Sequence, residues 1–149
     1  MIYLKDYLDP SYVIFLKEKD KKSALNKLVD CIASSPNIED KEALRKAVFK
    51  REKIISTGIG LGIAIPHVKI KEVKKLTICI GISKEGINWA ALDNKPVYSI
   101  FLIAGPAEQH ELYLKILSKI ILVLKKKERR EKILKAEKPD EILELFKNL

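Results

Sequence analysis

Apolar positions along this chain alternate between two periods. Residues 12–16, Tyr-Val-Ile-Phe-Leu, are a short run of β-formers that predicts a buried strand. Asp20 is placed to cap a helix over residues 21–35, with Leu25, Leu28, Val29 and Ile32 on one face. Ser34-Ser35-Pro36-Asn37 breaks the chain. A second helix is predicted over residues 40–53, where Leu44, Ala47, Val48 and Arg51 share a face. Residues 61–65 predict a strand, and the clean alternation over residues 76–83 predicts another. Asp93-Asn94-Lys95-Pro96 reads as a turn, and Asn94 tolerates positive φ. Residues 97–104 are almost continuously apolar, as in a central strand covered on both faces. After Gly105-Pro106 a helix is predicted over residues 107–125, with His110, Tyr113, Leu114, Leu117, Ile120, Ile121 and Leu124 along one stripe. Two short helices follow, over residues 128–136 and 139–147, the second opened by Pro139. Helices alternating with strands predict an α/β fold: a single layered domain over residues 1–149, a mixed β-sheet flanked by helices.

Composition narrows the function classes. No apolar run approaches the ~20 residues that cross a bilayer as a helix. Met1-Ile2-Tyr3-Leu4-Lys5-Asp6 lacks the basic-then-apolar layout of a signal peptide. A soluble, cytoplasmic protein without membrane insertion is expected. Cys31 and Cys79 have no CxxC or metal-ligand spacing and read as small hydrophobes. Two histidines with no HxxxH and no acidic cluster do not make a zinc site, and no metal or cofactor is expected. The net charge of +9 raises a nucleic-acid reading. Yet glutamates interrupt the densest basic run, residues 125–132, and no aromatic residue interleaves it as a stacking platform. It reads as a solvated helix end and connection, and no nucleic-acid partner is expected.

The candidate chemistry lies in residues 56–67, Ser-Thr-Gly-Ile-Gly-Leu-Gly-Ile-Ala-Ile-Pro-His. Glycines at alternate positions permit positive φ and close backbone approach. Pro66 has a fixed φ and restricts Ile65 to extended backbone, so the chain arrives at His67 with little freedom. Exposed N–H groups in such a stretch can form an anion-binding concavity. The stretch is equally consistent with a bulged strand ending in a packed histidine. It is neither G-x-G-x-x-G nor a P-loop, so a nucleotide site is not supported.

Arg51-Glu52, Ser56-Thr57-Gly58-Ile59-Gly60 and Gly62-Ile63-Ala64-Ile65-Pro66-His67 resemble the active-site signature of the fructose/mannitol-type enzyme IIA of the bacterial sugar phosphotransferase system. Gly86-Ile87-Asn88-Trp89, Leu92-Asp93-Asn94-Lys95-Pro96-Val97 and Phe101-Leu102-Ile103-Ala104 extend the resemblance over residues 12–146. It implies that His67 takes a phosphoryl group from phospho-HPr and passes it to a cysteine of a cognate enzyme IIB. A neutral imidazole is a competent nucleophile near pH 7. With Nδ1–H tied to a backbone carbonyl, Nε2 is left free to attack. Phosphoryl transfer asks mainly for positioning and for donors around the equatorial oxygens. Arg51, the hydroxyls of Ser56 and Thr57, and the backbone at Gly58 and Gly60 are the candidate donors.

This chain departs from the family at one point. The family's second histidine, counted from His67, falls at Tyr113, while His110 lies one helical turn earlier. Three readings stay open: His110 reaches the same place, Tyr113 supplies a hydroxyl instead, or the second group is dispensable. Ile59, Leu61 and Ile63 are candidates for an apolar docking rim or for core, and Trp89 reads as a packing anchor. Three functions compete: sugar-transport phosphocarrier, regulatory enzyme IIA of the nitrogen-related branch, and basic nucleic-acid-binding module. Gly86-Ile87-Asn88-Trp89 with Leu92-Asp93 looks closer to the fructose-type members.

Overall fold

The structure, a computed structural model, describes residues 2–54 and 56–149. Among these residues one mixed sheet of six strands carries helices on both faces. The strands are β1 (Val13–Phe15), β2 (Gly58–Gly60), β3 (Ile63–Ala64), β4 (His67–Lys69), β5 (Thr77–Ile87) and β6 (Val97–Gly105). The helices are α1 (Lys21–Ile32), α2 (Lys41–Ile54), α3 (His110–Leu124), α4 (Lys127–Lys135) and α5 (Pro139–Glu144). No helix among the described residues is long and apolar enough to cross a membrane.

The sheet is built around β6. β5 pairs with it antiparallel on one side, and β1 adds parallel to β5. On the other side two short strands follow one another along the same edge, both parallel to β6. Ile63 and Ala64 lie opposite Ser99 and Ile100, and His67 to Lys69 lie opposite Ile103 to Gly105. Pro66 interrupts this edge because it has no N–H to donate, but its carbonyl still accepts from Ile103 N at 2.9 Å. The expected strand over residues 61–65 is thus corrected. Leu61 and Gly62 form a turn, β2 folds back antiparallel on β3, and the strand resumes at His67.

Period-two alternation sorts β5 and β6 into two cores. Cys79, Ile100, Leu102 and Ala104 pack with α1 and α2, where Leu25, Leu28, Val29, Ile32, Leu44 and Val48 are buried. Ile78, Ile80, Ile82, Phe101 and Ile103 pack with α3 to α5 on the other face. Asp20 caps α1 as expected, accepting from Ser23 N at 2.9 Å. Asn94 takes φ 58°, as its turn position predicts. Trp89 is fully buried. One face is corrected: α3 buries Tyr113, Ile116, Ile120, Val123 and Leu124, and leaves Leu114 and Ile121 exposed.

Candidate active site

His67 opens β4 on the sheet edge, half-buried. Its Nδ1 lies 2.8 Å from the Ile65 carbonyl. A carbonyl oxygen only accepts, so Nδ1 carries the proton and Nε2 of the neutral ring keeps its lone pair. The Ile65-Pro66 step supplies this contact, because the restricted backbone brings the carbonyl of residue 65 under the ring of residue 67. Burial, seconded by the positive charges of Arg51 and Lys69, holds the His67 imidazole below its ordinary pKa of 6.5. The Ile65 carbonyl and the Glu52 carboxylate oppose this without reversing it.

Beside the ring is a cavity of about 440 Å³, lined by α2, β4 and α3. Arg51 enters it from the last turn of α2, and its Nη1 is buried with no hydrogen-bond partner among the described residues. A buried guanidinium donor left unpaired is costly unless something arrives to accept from it. A phosphoryl oxygen beside His67 is such an acceptor, and the forked donors suit it. Tyr113 lines the cavity from α3, its ring centroid 5.2 Å from that of His67. Burial pushes the Tyr113 phenol up to about 12, so it remains a neutral O–H donor at physiological pH. His110, the first residue of α3, faces the same cavity, 6.2 Å from Tyr113 between ring centroids. His110 and Tyr113 thus line the same cavity.

Ser56, Thr57, Gly58 and Gly60 are placed differently. None of them is among the lining residues of the cavity. Thr57 is buried, and its hydroxyl donates to Glu52 Oε2 at 2.7 Å. Ser56 Oγ accepts from Gly58 N at 3.2 Å. Gly58 is pressed against Ala91 and Trp89, where a Cβ would fall 2.6 Å from Ala91 Cβ. Gly60, Leu61 and Gly62 all have positive φ, which makes a tight left-handed turn. In the structure the glycine stretch is closely packed at Gly58 and turns into β3 at Gly60 to Gly62. Ile63 is core, whereas Ile59 and Leu61 are exposed.

Lys69 is a site residue that the reading of the sequence missed. It sits two residues beyond His67 on the same face of β4, and its ammonium contacts His110 Nδ1. The signal was the period-two spacing from His67, hidden because no strand was predicted there.

Comparison with known proteins extends this picture. Residues 6–149 match the family model described as phosphoenolpyruvate-dependent sugar phosphotransferase system, EIIA 2. A fructose-specific EIIA component of Haloferax volcanii is 37% identical over 132 residues, 87% of this chain and 86% of that protein. The fructose-specific EIIABC component of Bacillus subtilis is 33% identical over 131 residues, 88% of this chain. That match spans only 21% of the Bacillus protein's length. Among solved structures, the nitrogen regulatory protein IIA-Ntr of Neisseria meningitidis superposes with a TM-score of 0.88 at 26% identity, covering 96% of this chain and 98% of its own. The enzyme IIA of mannitol from Escherichia coli, solved in complex with phosphorylated enzyme IIB, shares the fold. Its TM-score is 0.82 at 20% identity, over 95% of this chain and 98% of its own.

Proposed function

Because this chain belongs to the type 2 enzyme IIA family of the phosphoenolpyruvate-dependent sugar phosphotransferase system, we propose that it is a phosphocarrier that takes a phosphoryl group from phospho-HPr on His67 and gives it to a cysteine of an enzyme IIB during sugar uptake. The observation that carries this reading is the pairing of a free His67 Nε2 with the buried, unpartnered Nη1 of Arg51 in one cavity. The Nε2 lone pair attacks phosphorus as the donor's own N–P bond breaks. The Nδ1–H bond to Ile65 then meets the positive charge that develops on the ring. Arg51 donates to the equatorial oxygens, with Tyr113 and His110 as further donors. In the second step the enzyme IIB thiolate attacks the same phosphorus, the N–P bond breaks, and His67 returns to its starting tautomer. The match to the fructose-specific protein of Haloferax volcanii supports a fructose-type sugar.

Intact-mass spectrometry at mildly alkaline pH tests the first step. After incubation with phosphoenolpyruvate, enzyme I and HPr, the wild-type chain gains one phosphoryl group and His67→Gln gains none. An adduct that persists in His67→Gln, or no adduct on the wild-type chain, sinks the reading.

A second reading has its own support. The superposition on the nitrogen regulatory protein of Neisseria meningitidis favours a chain that is phosphorylated in the same way but acts by binding other proteins. Transfer of label from the phosphorylated chain to fructose through an enzyme IIB decides for transport. A stable phosphorylated chain that no enzyme IIB discharges decides for regulation.

A further inference from the structure

An ammonium has donors only, so it meets a ring nitrogen only by donating to its lone pair. Lys69 Nζ meets His110 at Nδ1. That nitrogen is therefore unprotonated, and the proton of the neutral ring is on Nε2. The two imidazoles of the cavity thus stand in opposite tautomers. His67 is protonated at Nδ1 by its bond to the Ile65 carbonyl and offers a lone pair at Nε2. His110 has its lone pair turned to Lys69 and offers an N–H at Nε2. One is built to attack, the other to donate.

The lysine is held for this task. Lys69 is half-buried, on the β4 face that carries His67. Its ammonium lies over the Tyr113 ring, 5.5 Å from the centroid. Tyr113 neighbours both histidines, its ring centroid 5.2 Å from that of His67 and 6.2 Å from that of His110, and the Lys69 ammonium rests against the same ring. His110 is exposed, and among the described residues Lys69 is the one protein group that hydrogen-bonds its ring nitrogens.

We propose that Lys69 is a positioning residue for phosphoryl transfer: it holds His110 as the Nε2–H tautomer, and His110 in that form donates to the phosphoryl oxygens on His67. The assignment rests on the phosphocarrier reading for its transfer role, but the tautomer can be read without any partner.

The test combines spectra and rates on the full chain. Nitrogen NMR of the imidazoles at mildly alkaline pH, with His67→Gln to isolate His110, is expected to show a pyridine-type Nδ1 and a pyrrole-type Nε2. Lys69→Met moves both signals toward the tautomer average, and Lys69→Arg, another donor-only cation, restores them. Phosphorylation of His67 by phospho-HPr slows about 2-fold in Lys69→Met, because an even tautomer mixture leaves half of the rings with the donating Nε2–H. In a His110→Gln background, where an amide N–H replaces Nε2–H and has no tautomer, Lys69→Met changes the rate little. An Nδ1–H tautomer in the wild-type spectrum, or a spectrum that ignores Lys69→Met, overturns the proposal. A Lys69→Met chain phosphorylated at the wild-type rate overturns the transfer role. If the wild-type chain is not phosphorylated at all, the phosphocarrier reading falls and the transfer role with it, while the spectra still decide the tautomer.

Discussion

Glu52 clasps Thr57 with both carboxylate oxygens: Oε1 accepts from Thr57 N at 2.9 Å and Oε2 from Thr57 Oγ1 at 2.7 Å. The carboxylate is buried and is paired at 2.5 Å with Lys21 Nζ from α1. Thr57 in turn accepts through its carbonyl from Ile65 N at 3.0 Å. A continuous chain of contacts thus runs from α1 through the end of α2 to the residue whose carbonyl fixes the His67 tautomer. Glu52→Ala removes the acceptor for two Thr57 donors and strands a partly buried ammonium. It should destabilise the fold by about 3 kcal/mol, read from the denaturant midpoint at unchanged slope. Thr57→Val, which keeps the backbone contact, should cost less, about 1.5 kcal/mol. Equal losses in the two variants would show that the hydroxyl carries the whole interaction.

Arg51 makes a different prediction, because on the phosphocarrier reading its charge acts on chemistry and not on the fold. With Nη1 buried and unpartnered, the resting protein gains little from the guanidinium. Arg51→Met should therefore leave stability unchanged or slightly raised, while phosphorylation of His67 falls by on the order of 100-fold, the usual loss when one oriented donor is removed from a developing charge. Arg51 is also one of the charges that hold the His67 imidazole down, so the same variant should titrate closer to the ordinary value of 6.5. A rate loss with no movement of that titration would mean that Arg51 acts on the partner and not on the ring.

The pH dependence follows from the same depression. On the phosphocarrier reading the nucleophile is the neutral ring, and its folded pKa lies below the unfolded 6.5. The unfolded chain therefore binds more protons in the window between the two values. Two consequences share a sign. The transfer rate should reach half its plateau below pH 6.5, at lower pH than an ordinary imidazole. The stability contributed by the neutral, carbonyl-tethered His67 should begin to fade as pH falls below 6.5 and level off below the folded value. Proton NMR titration of the His67 ring beside single-turnover rates checks both. A rate already halved at pH 6.5, the midpoint of an ordinary imidazole, would contradict the burial argument.

Much of this architecture was legible because burial writes itself into composition. β6 reads as a central strand since both of its faces are covered, and α1 announces itself through Asp20 and a narrow apolar face. The face of α3 was not legible. Leucine, isoleucine and valine occupy positions 112, 114, 116, 117 and 120 to 124, nearly all round the helix, so only packing against Phe101 and Ile103 chooses Tyr113, Ile116 and Ile120. The edge strands were not legible either: β2, β3 and β4 are two or three residues each, too short for a period to show. Missing β4 meant missing Lys69. His67 and Arg51 came from resemblance, and the structure places them in one cavity. The glycines were read as an anion-binding stretch from their spacing as well as from resemblance, and in the structure they are closely packed at Gly58 and turn at Gly60 to Gly62.

That last difference can be decided by experiment, since packing and phosphate binding predict opposite results at Gly58 and Gly60. A Cβ on Gly58 would lie 2.6 Å from Ala91 Cβ and 2.8 Å from Ala91 Cα, so backbone must move to admit it. Gly58→Ala should cost about 3 kcal/mol, at the upper end of what overpacking a tight site costs. A Cβ on Gly60 meets nothing closer than Asp93 Oδ2 at 3.6 Å, but the residue has φ +96°. Gly60→Ala should therefore cost only conformational strain, about 1–2 kcal/mol. If neither glycine touches the phosphoryl group, both variants, assayed where they are still folded, should be phosphorylated on His67 at close to the wild-type rate. A Gly60→Ala chain that is stable but transfers phosphoryl 10-fold more slowly would return the turn to the active site, and the exposed Leu61 at its apex, held at φ 58°, would then have to be explained as part of the surface that meets the donor.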